Sequence, residues 1–351
     1  MAVLSSTMPN IADLMKSLDP DHKLAKAANL MTQANQLVPM LPVVEANNIT
    51  HHRVTQVVAL GAASERGLNQ GTQATKNEKA QHDEGIALVD KWNICDKKIA
   101  ELSGDVAAFR GQETRLGTVS VSQRVSYLTI LGNKATNDLQ FTGLLPRYNS
   151  LADTSVAQQI VDCGGLEAAT GALTSMWLVR SGVDSVFLTY PKGSKGGLFH
   201  HDYGLVAESS ASNSSGTLTA GYHMAQYKDQ IGWDVGLVVK DQRCVVRLGN
   251  INPAHFTALT STQAPATFEN LIHKMMIAHG RLPLDVMGDD FYVANRVVRT
   301  GLMRLAYEKS TPGLGVREGL TQLGKPTTIL TFWDVPILLE DQITSTETFI
   351  P

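Results

Sequence analysis

The chain has 351 residues, 43% hydrophobic and 18% charged, with a net charge of -3. That length holds about two domains and can bury a real core. The charge balance excludes a global basic footprint for nucleic acid, and no run of about 18 apolar residues suits a membrane helix.

Residues 1–50 read as an arm. Short apolar clusters (Leu24, Leu30, Leu37, Val38) are interrupted by Pro20, Pro39 and Pro42, so no single amphipathic period runs through them. Such a segment orders by lying on something else. The first residues show no basic stretch followed by an apolar one, so no secretory leader is expected. In residues 51–98, Arg53 to Leu60 is strand-like and rich in valine. A polar excursion of about twenty residues follows, and Ile86 to Ile94 is strand-like again. Two strands flanking that excursion predict an extended hairpin projecting from the body. An isolated two-stranded ribbon is marginal in water, so it needs a partner surface.

Val121, Val125, Leu128 and Leu131 keep helical spacing and predict one buried stripe on a helix from about Gln112 to Leu131, with Asp105 as N-cap. Gly132 and Asn133 are expected to end it in the left-handed conformation. The other faces of this strut are expected to meet water or other subunits. Ser175 to Gly182 and Val186 to Tyr190 read as strands, and residues 208–221 as a Ser/Gly-rich surface loop. Trp233 to Ile251 is one bent strand or two consecutive ones. Phe268 to His279 is a helix, Asp290 to Ala294 a strand, and Asn295 caps a helix striped by Val298, Leu302 and Leu305. Thr327 to Phe332 and Val335 to Ile337 close the chain as strands. Strand runs and helix runs without strict βαβ alternation predict an α+β fold.

Nothing reads as catalytic. The turn Pro191 to Gly197 offers Lys192 and Lys195 to an anion, but it lacks phosphate-loop spacing and no helix follows it. His200, His201 and Asp202, like His51 and His52, are adjacent residues, and neighbours on a strand point to opposite faces. Asp289 and Asp290 read as a solvated turn. Cys95, Cys163 and Cys244 lie far apart without metal spacing and read as reduced, partly buried thiols. No catalytic residue, cofactor or metal ligand is assigned.

A series of blocks nevertheless runs in order along nearly the whole chain. It begins with Arg66-Gly-Leu-Asn-Gln-Gly71, Phe109-Arg110 with Glu113, Phe141-Thr-Gly-Leu144 and Arg147-Tyr-Asn149. It continues with Asp162-Cys-Gly-Gly165, Tyr190 to Leu198, Asp202-Tyr-Gly204, Val245-Val-Arg247 and Val335-Pro-Ile337, and ends at Thr346-Glu347. In this order and spacing the chain resembles the major capsid proteins of tailed bacteriophages with the Hong Kong 97 fold, above all the shell proteins of short-tailed phages related to epsilon fifteen. Cys244 departs from the aromatic expected there, and Trp333-Asp334 replaces a glycine-containing lead into Val335.

The resemblance implies an N-arm (1–50), an E-loop (51–98) and a peripheral-domain spine helix with its following turn (99–150). It further implies a first part of the axial domain (151–221), peripheral-domain strands (222–252), a second axial part (253–334) and a C-terminal strand (335–351). Copies would assemble as pentamers and hexamers into an icosahedral head enclosing double-stranded DNA without sequence-specific contacts. The E-loop residues Glu65, Arg66, Asn69, Lys76, Glu78 and Lys79 would touch a neighbouring subunit. A separate scaffolding protein and a portal would serve assembly in the bacterial host cytoplasm, with room for a decoration protein, and no membrane is involved. Lys76 and Lys79 have no assignable asparagine partner, so covalent cross-linking of subunits is not expected. The alternatives are a protein nanocompartment shell of the same fold, or a soluble metal- or nucleotide-dependent enzyme using Lys195, His200, His201 and Asp202.

Overall fold

Capping side chains set the helix boundaries. In the computed structural model the long helix α1 spans Val106–Leu131 and starts where Asp105 accepts the Ala108 amide at 3.0 Å. It starts at Val106 and not at about Gln112, because the Asp105 cap opens it there and Phe109, in the added residues, is buried beside Cys95 and Ala100. The structure describes residues 8–9, 13–14, 33, 35–152, 157–212, 218–257, 264–307, 314–320 and 326–351. Two compact units share the chain. Residues 1–32, 88–125 and 197–234 form the first; residues 33–87, 126–196 and 235–351 form the second.

The strands, in chain order, are β1 (Val43–Glu45), β2 (His51–Ala59), β3 (Glu78–Gly85), β4 (Ala87–Asp96), β5 (Ile160–Asp162), β6 (Thr174–Ser181) and β7 (Val186–Tyr190). They continue with β8 (Phe199–Ser212), β9 (Leu218–Val239), β10 (Val245–Ile251), β11 (Asp289–Ala294), β12 (Leu314–Leu320), β13 (Pro326–Phe332) and β14 (Val335–Leu339). Two further helices are α2 (Ala264–Gly280) and α3 (Arg296–Tyr307).

In the first unit β8 and β9 pair antiparallel from Phe199↔Gly232 to Ser212↔Leu218. This corrects the surface loop expected over residues 208–221, of which 213–217 lie outside the described residues: residues 208–212 and 218–221 extend both strands of a hairpin. Residues 106–125 of α1 lie against this unit's strands. Gly117 permits the approach, since a Cβ there would stand 2.7 Å from Ile231 and 2.9 Å from Asn93. Arg110 joins helix to hairpin, reaching Asp229 and Asp202 at 2.5 Å each, while Thr114 donates to the other Asp229 oxygen at 2.9 Å. Cys95, Ala100 and Phe109 make this unit's small core.

The second unit is built on β6, whose residues are buried on both faces, so its sequence shows no alternation. It lies antiparallel between β10 and β11, and β11 continues through β14 to β13 and β12. Met176 and Leu178 pack with Met275 of α2, Val298 and Leu302 of α3, Tyr292 and Phe332. Asn295 caps α3 as expected, accepting the Val298 amide at 2.9 Å. From β6's other face Trp177 meets Tyr148 edge-on, with centroids 6.0 Å apart. Trp333 and Asp334 form the two-residue turn between β13 and β14, both left-handed at φ 46° and 68°. Such turns usually take Asn-Gly; here the Trp333 ring stacks on Phe332 and meets His279 edge-on, which holds the strained backbone.

The end of α1 corrects another expectation. Neither Gly132 nor Asn133 is left-handed. Gly132 is needed for closeness instead: a Cβ there would stand 2.4 Å from the Leu128 carbonyl oxygen and 2.7 Å from that of Phe141. The last turns are buried beyond the single stripe, with Ser126, Thr129 and Ile130 all inaccessible.

Candidate inter-subunit surfaces

The projecting hairpin exists, but its return strand differs from the expected one. β2 pairs antiparallel with β3, from His51↔Gly85 to Ala59↔Glu78, and the stretch Ile86 to Ile94 belongs to β4. The sequence Glu78-Lys-Ala-Gln-His-Asp-Glu-Gly85 hides its strand character because most of it is wet and its one buried residue is the charged Glu84, so no apolar period appears. The ribbon is secured at its base. Arg53 forks onto Asp83 at 2.7 and 2.9 Å, and Arg147 forks onto the buried Glu84 at 2.6 Å on both arms. Arg147 also donates to the Thr142 and Gly143 carbonyls, so the turn after α1 is what grips the ribbon. Val54 is buried with Phe187 and Val238, and the Gln56 amide donates to the Lys240 carbonyl at 2.7 Å.

Beyond residue 56 that support ends. Val57, Val58, Leu60 and Leu68 are exposed, Leu68 to 95%. A tight turn at Gly67–Gln70, with Asn69 left-handed at φ 63°, shapes the tip. Glu65, Arg66, Asn69, Lys76, Glu78 and Lys79 are all exposed there. Among the described residues none of the five charged ones makes an ion pair within the chain.

Most of the arm lies outside the described residues, Pro20, Leu24 and Leu30 included. The part from Asn35 onward lies on its own subunit. Leu37, Val38 and Leu41 are buried, and β1 runs parallel to β7. The arm's docking point is Glu340, a fully buried carboxyl that accepts the Leu37 amide at 3.2 Å. Burial raises this group from 4.5 to about 7 and outweighs its hydrogen bonds. Between those values the folded chain holds a proton that the unfolded chain has released. Stability is therefore greatest on the acid side and declines as pH rises through about 7. Thermal melts should show a higher midpoint at about pH 5 than at about pH 8, and Glu340→Gln should remove this contribution.

The other candidates resolve into structure. The Gly193 amide donates to the Glu45 carboxylate at 2.8 Å, so an acid occupies the place of an anion beside Lys192 and Lys195. His52 packs edge-on against Phe187, and Asp202 is taken by Arg110. Asp290 is forked by Arg180 at 2.6 and 2.7 Å, which makes it a structural acid. Among the described residues no group of His, Cys, Asp or Glu could hold a metal ion, and no helix is long and apolar enough to cross a membrane. All three cysteines are free; burial pushes the Cys95 thiol up to about 11 and those of Cys163 and Cys244 up to about 12.

Sequence reasoning missed the C-terminal lock. Arg247 and Glu347 are both buried and pair at 2.7 Å; Arg247 also donates to the Tyr148 carbonyl, and Ser175 donates to Glu347 at 2.7 Å. Asn250, left-handed at φ 56°, exchanges hydrogen bonds with the backbone of Ile350. Both residues stand in the recognised blocks, but their partners lie about a hundred positions away.

A gripped ribbon, a long helix and a helix-backed mixed sheet make up the Hong Kong 97-like capsid fold. A chain in the near-atomic structure of bacteriophage Epsilon15 is similar over 100% of this chain and 99% of that one, at 23% identity and a TM-score of 0.75. The bacteriophage JBD30 capsid aligns over 98% and 100%, at 12% identity and a TM-score of 0.49. No curated protein matches the sequence. A family model described as "Major capsid protein GP7" matches residues 19–351, and the chain belongs to that family. It is a major capsid protein, a structural component of a capsid.

Proposed function

We propose that copies of this chain close into pentamers and hexamers, with each ribbon seated on the neighbouring subunit. The observation that carries this reading is the ribbon beyond Gln56, where Val57, Val58, Leu60 and Leu68 are mostly exposed, Leu68 at the tip to 95%. Exposed apolar groups on a narrow two-stranded extension cost solubility unless a partner buries them. Glu65, Arg66, Glu78 and Lys79 pair across subunits, with Asn69 and Lys76 at the same contact. Each exposed pair contributes only about 0–1 kcal/mol, so they fix register more than affinity. Within residues 51–98 the ribbon of β2 and β3 then acts as the E-loop, and the arm of residues 1–50, whose part from Asn35 lies on its own subunit, reaches a further copy.

The axial domain is drawn from residues 151–221 and 253–334, and the peripheral domain from residues 99–150 and 222–252, with residues 335–351 as the C-terminal strand. Assembly uses a separate scaffolding protein and a portal in the bacterial cytoplasm, and the head takes up double-stranded DNA without reading its sequence. The outer face leaves room for a decoration protein. The subunit has no catalytic role, and its surfaces do the work. Electron microscopy of purified particles, with and without nuclease, tests this. Icosahedral heads holding nuclease-protected DNA are expected; small oligomers, or shells loaded with protein cargo in place of DNA, would overturn it.

A further inference from the structure

The first unit's sheet has two faces, and among the described residues only one of them is packed. β9 runs between β8 and β4. Ile231 and Asn93 point to α1, since both stand against Gly117. Side chains alternate along a strand, so their neighbours Gly232, Gln230 and Trp92 point the other way. Asp90 and Phe199 lie on that outer side too, because a Cβ on Gly232 would collide with both.

This outer face is aromatic and open. Trp92 and Tyr203 stack with ring centroids 5.3 Å apart and stay 46% and 45% exposed. His201 meets Tyr203 edge-on at 4.4 Å, and Phe199 and Leu88 are exposed beside them. The Tyr203 hydroxyl donates to Gln230 at 3.1 Å, and the Gln230 amide donates to Asp90 at 3.2 Å. That relay crosses all three strands and holds the rings on a rigid sheet. Aromatic side chains already held in place lose little freedom when a partner covers them, which suits them as contact anchors.

Charge says which partner fits. Of the outward side chains on Leu88–Trp92 and Lys228–Asp234, Asp90 and Asp234 are acids and Lys228 is a base. Burial, and after it the nearby Asp90, raises the Asp234 carboxyl above its ordinary value. Asp90 has the neutral Gln230 amide as its partner, and no ion pair relieves Asp234 among the described residues. The ribbon tip is the reverse. Arg66, Lys76 and Lys79 outnumber Glu65 and Glu78, and the exposed Leu68 stands among them. A basic, apolar tip matches an acidic, aromatic face, and a guanidinium over Trp or Tyr gains a cation–π attraction.

We propose that the outer face of β4, β9 and β8 is the seat for the ribbon tip of a neighbouring copy. Arg66 and Leu68 lie on Trp92 and Tyr203, while Lys76 and Lys79 reach Asp90 and Asp234. The proposal rests on the reading that ribbons seat on neighbouring subunits, and it names the surface that receives them. The occupant is a second copy because the chain belongs to a family of shell subunits and itself supplies the complementary charge.

The test uses shells co-assembled from isotope-labelled and unlabelled full-length chain, treated with a carbodiimide that joins amines to carboxylates. Mass spectrometry of the digested shells is expected to find Lys76 or Lys79 joined to Asp90 or Asp234 in peptide pairs of mixed isotope, which only two chains can give. Mixed pairs that join these lysines only to other carboxylates would overturn the seat and leave the ribbon reading standing. Links confined to one chain would remove both. A second protein joined to the face in place of the ribbon would also overturn the seat. Trp92→Ala with Tyr203→Ala should keep the melting temperature within a few degrees, because both rings are half-exposed. The same variant should lower the yield of shells by about tenfold or more, the effect of truncating aromatic anchors. Asp90→Lys with Asp234→Lys should also fail to assemble, and Lys76→Glu with Lys79→Glu in the same chain should restore shells. Normal shells from the aromatic variant, or no rescue by the charge exchange, would overturn the seat.

Discussion

Replacing Arg247 by alanine is expected to destabilise the subunit by about 3–5 kcal/mol, the cost of leaving a buried charge without its partner. Arg247 and Glu347 have almost no solvent contact, and Glu347 already uses its other oxygen on Ser175. Its guanidinium carbon also sits 5.2 Å from the Trp177 ring, so the substitution opens a void against that ring as well. The loss should spread to the tail, because Glu347 and Ile350 are what tie residues 340–351 to β6 and β10. Urea unfolding monitored by tryptophan fluorescence reads the change directly. The double substitution Arg247→Met with Glu347→Leu should recover most of it, since a buried ion pair is often replaceable by apolar groups of similar volume. A single-variant loss below about 1 kcal/mol would mean that the pair is wetter or looser than its geometry implies.

The same residues show how far the sequence is legible. Buried strands and capped helices announce themselves locally. β11 and the helix following Asn295 were readable because their signals (an apolar run, a cap, a 3.6-residue stripe) lie within a dozen positions. β3 was not, because Glu78 to Gly85 buries only the charged Glu84 and so shows no apolar period. β8 and the start of β9 were missed for a related reason: serine and glycine are poor strand formers, and hairpin pairing overrides their propensity. Gly132 reads as a helix stop in sequence, but the approach of Phe141 that actually requires it is visible only in three dimensions. The grip of Arg147 on Glu84 spans 63 positions and that of Arg247 on Glu347 spans 100. A block of residues can be recognised, but charge partners at such separations cannot be matched without the fold. The ribbon's existence was legible from its flanks, whereas its true return strand was not.

Deleting Ser64–Lys79 is expected to abolish stable shells while leaving a folded subunit. The segment carries Leu68 and the exposed charged side chains of the tip and contributes nothing to either core. The ribbon root survives, because Arg53–Asp83 and Arg147–Glu84 lie outside the deletion. The melting temperature should therefore stay within a few degrees of the parent, as for surface changes remote from packed groups. Sedimentation should show subunits or small oligomers in place of particles. Normal particles from this deletion would show that the tip is not an assembly contact. An unfolded product would show that the ribbon supports its own subunit, which its exposed residues argue against.

The central claim is that the ribbon tip is completed by a sister subunit, and amide hydrogen exchange over residues 60–77 measures it most directly. In free subunits these amides should exchange at nearly unstructured rates, because few of them are bonded within the chain. In assembled heads they should slow by orders of magnitude while the β6 amides, already protected in the free subunit, change little. Strong protection of residues 60–77 in the free subunit, or rapid exchange in the intact head, would contradict the account.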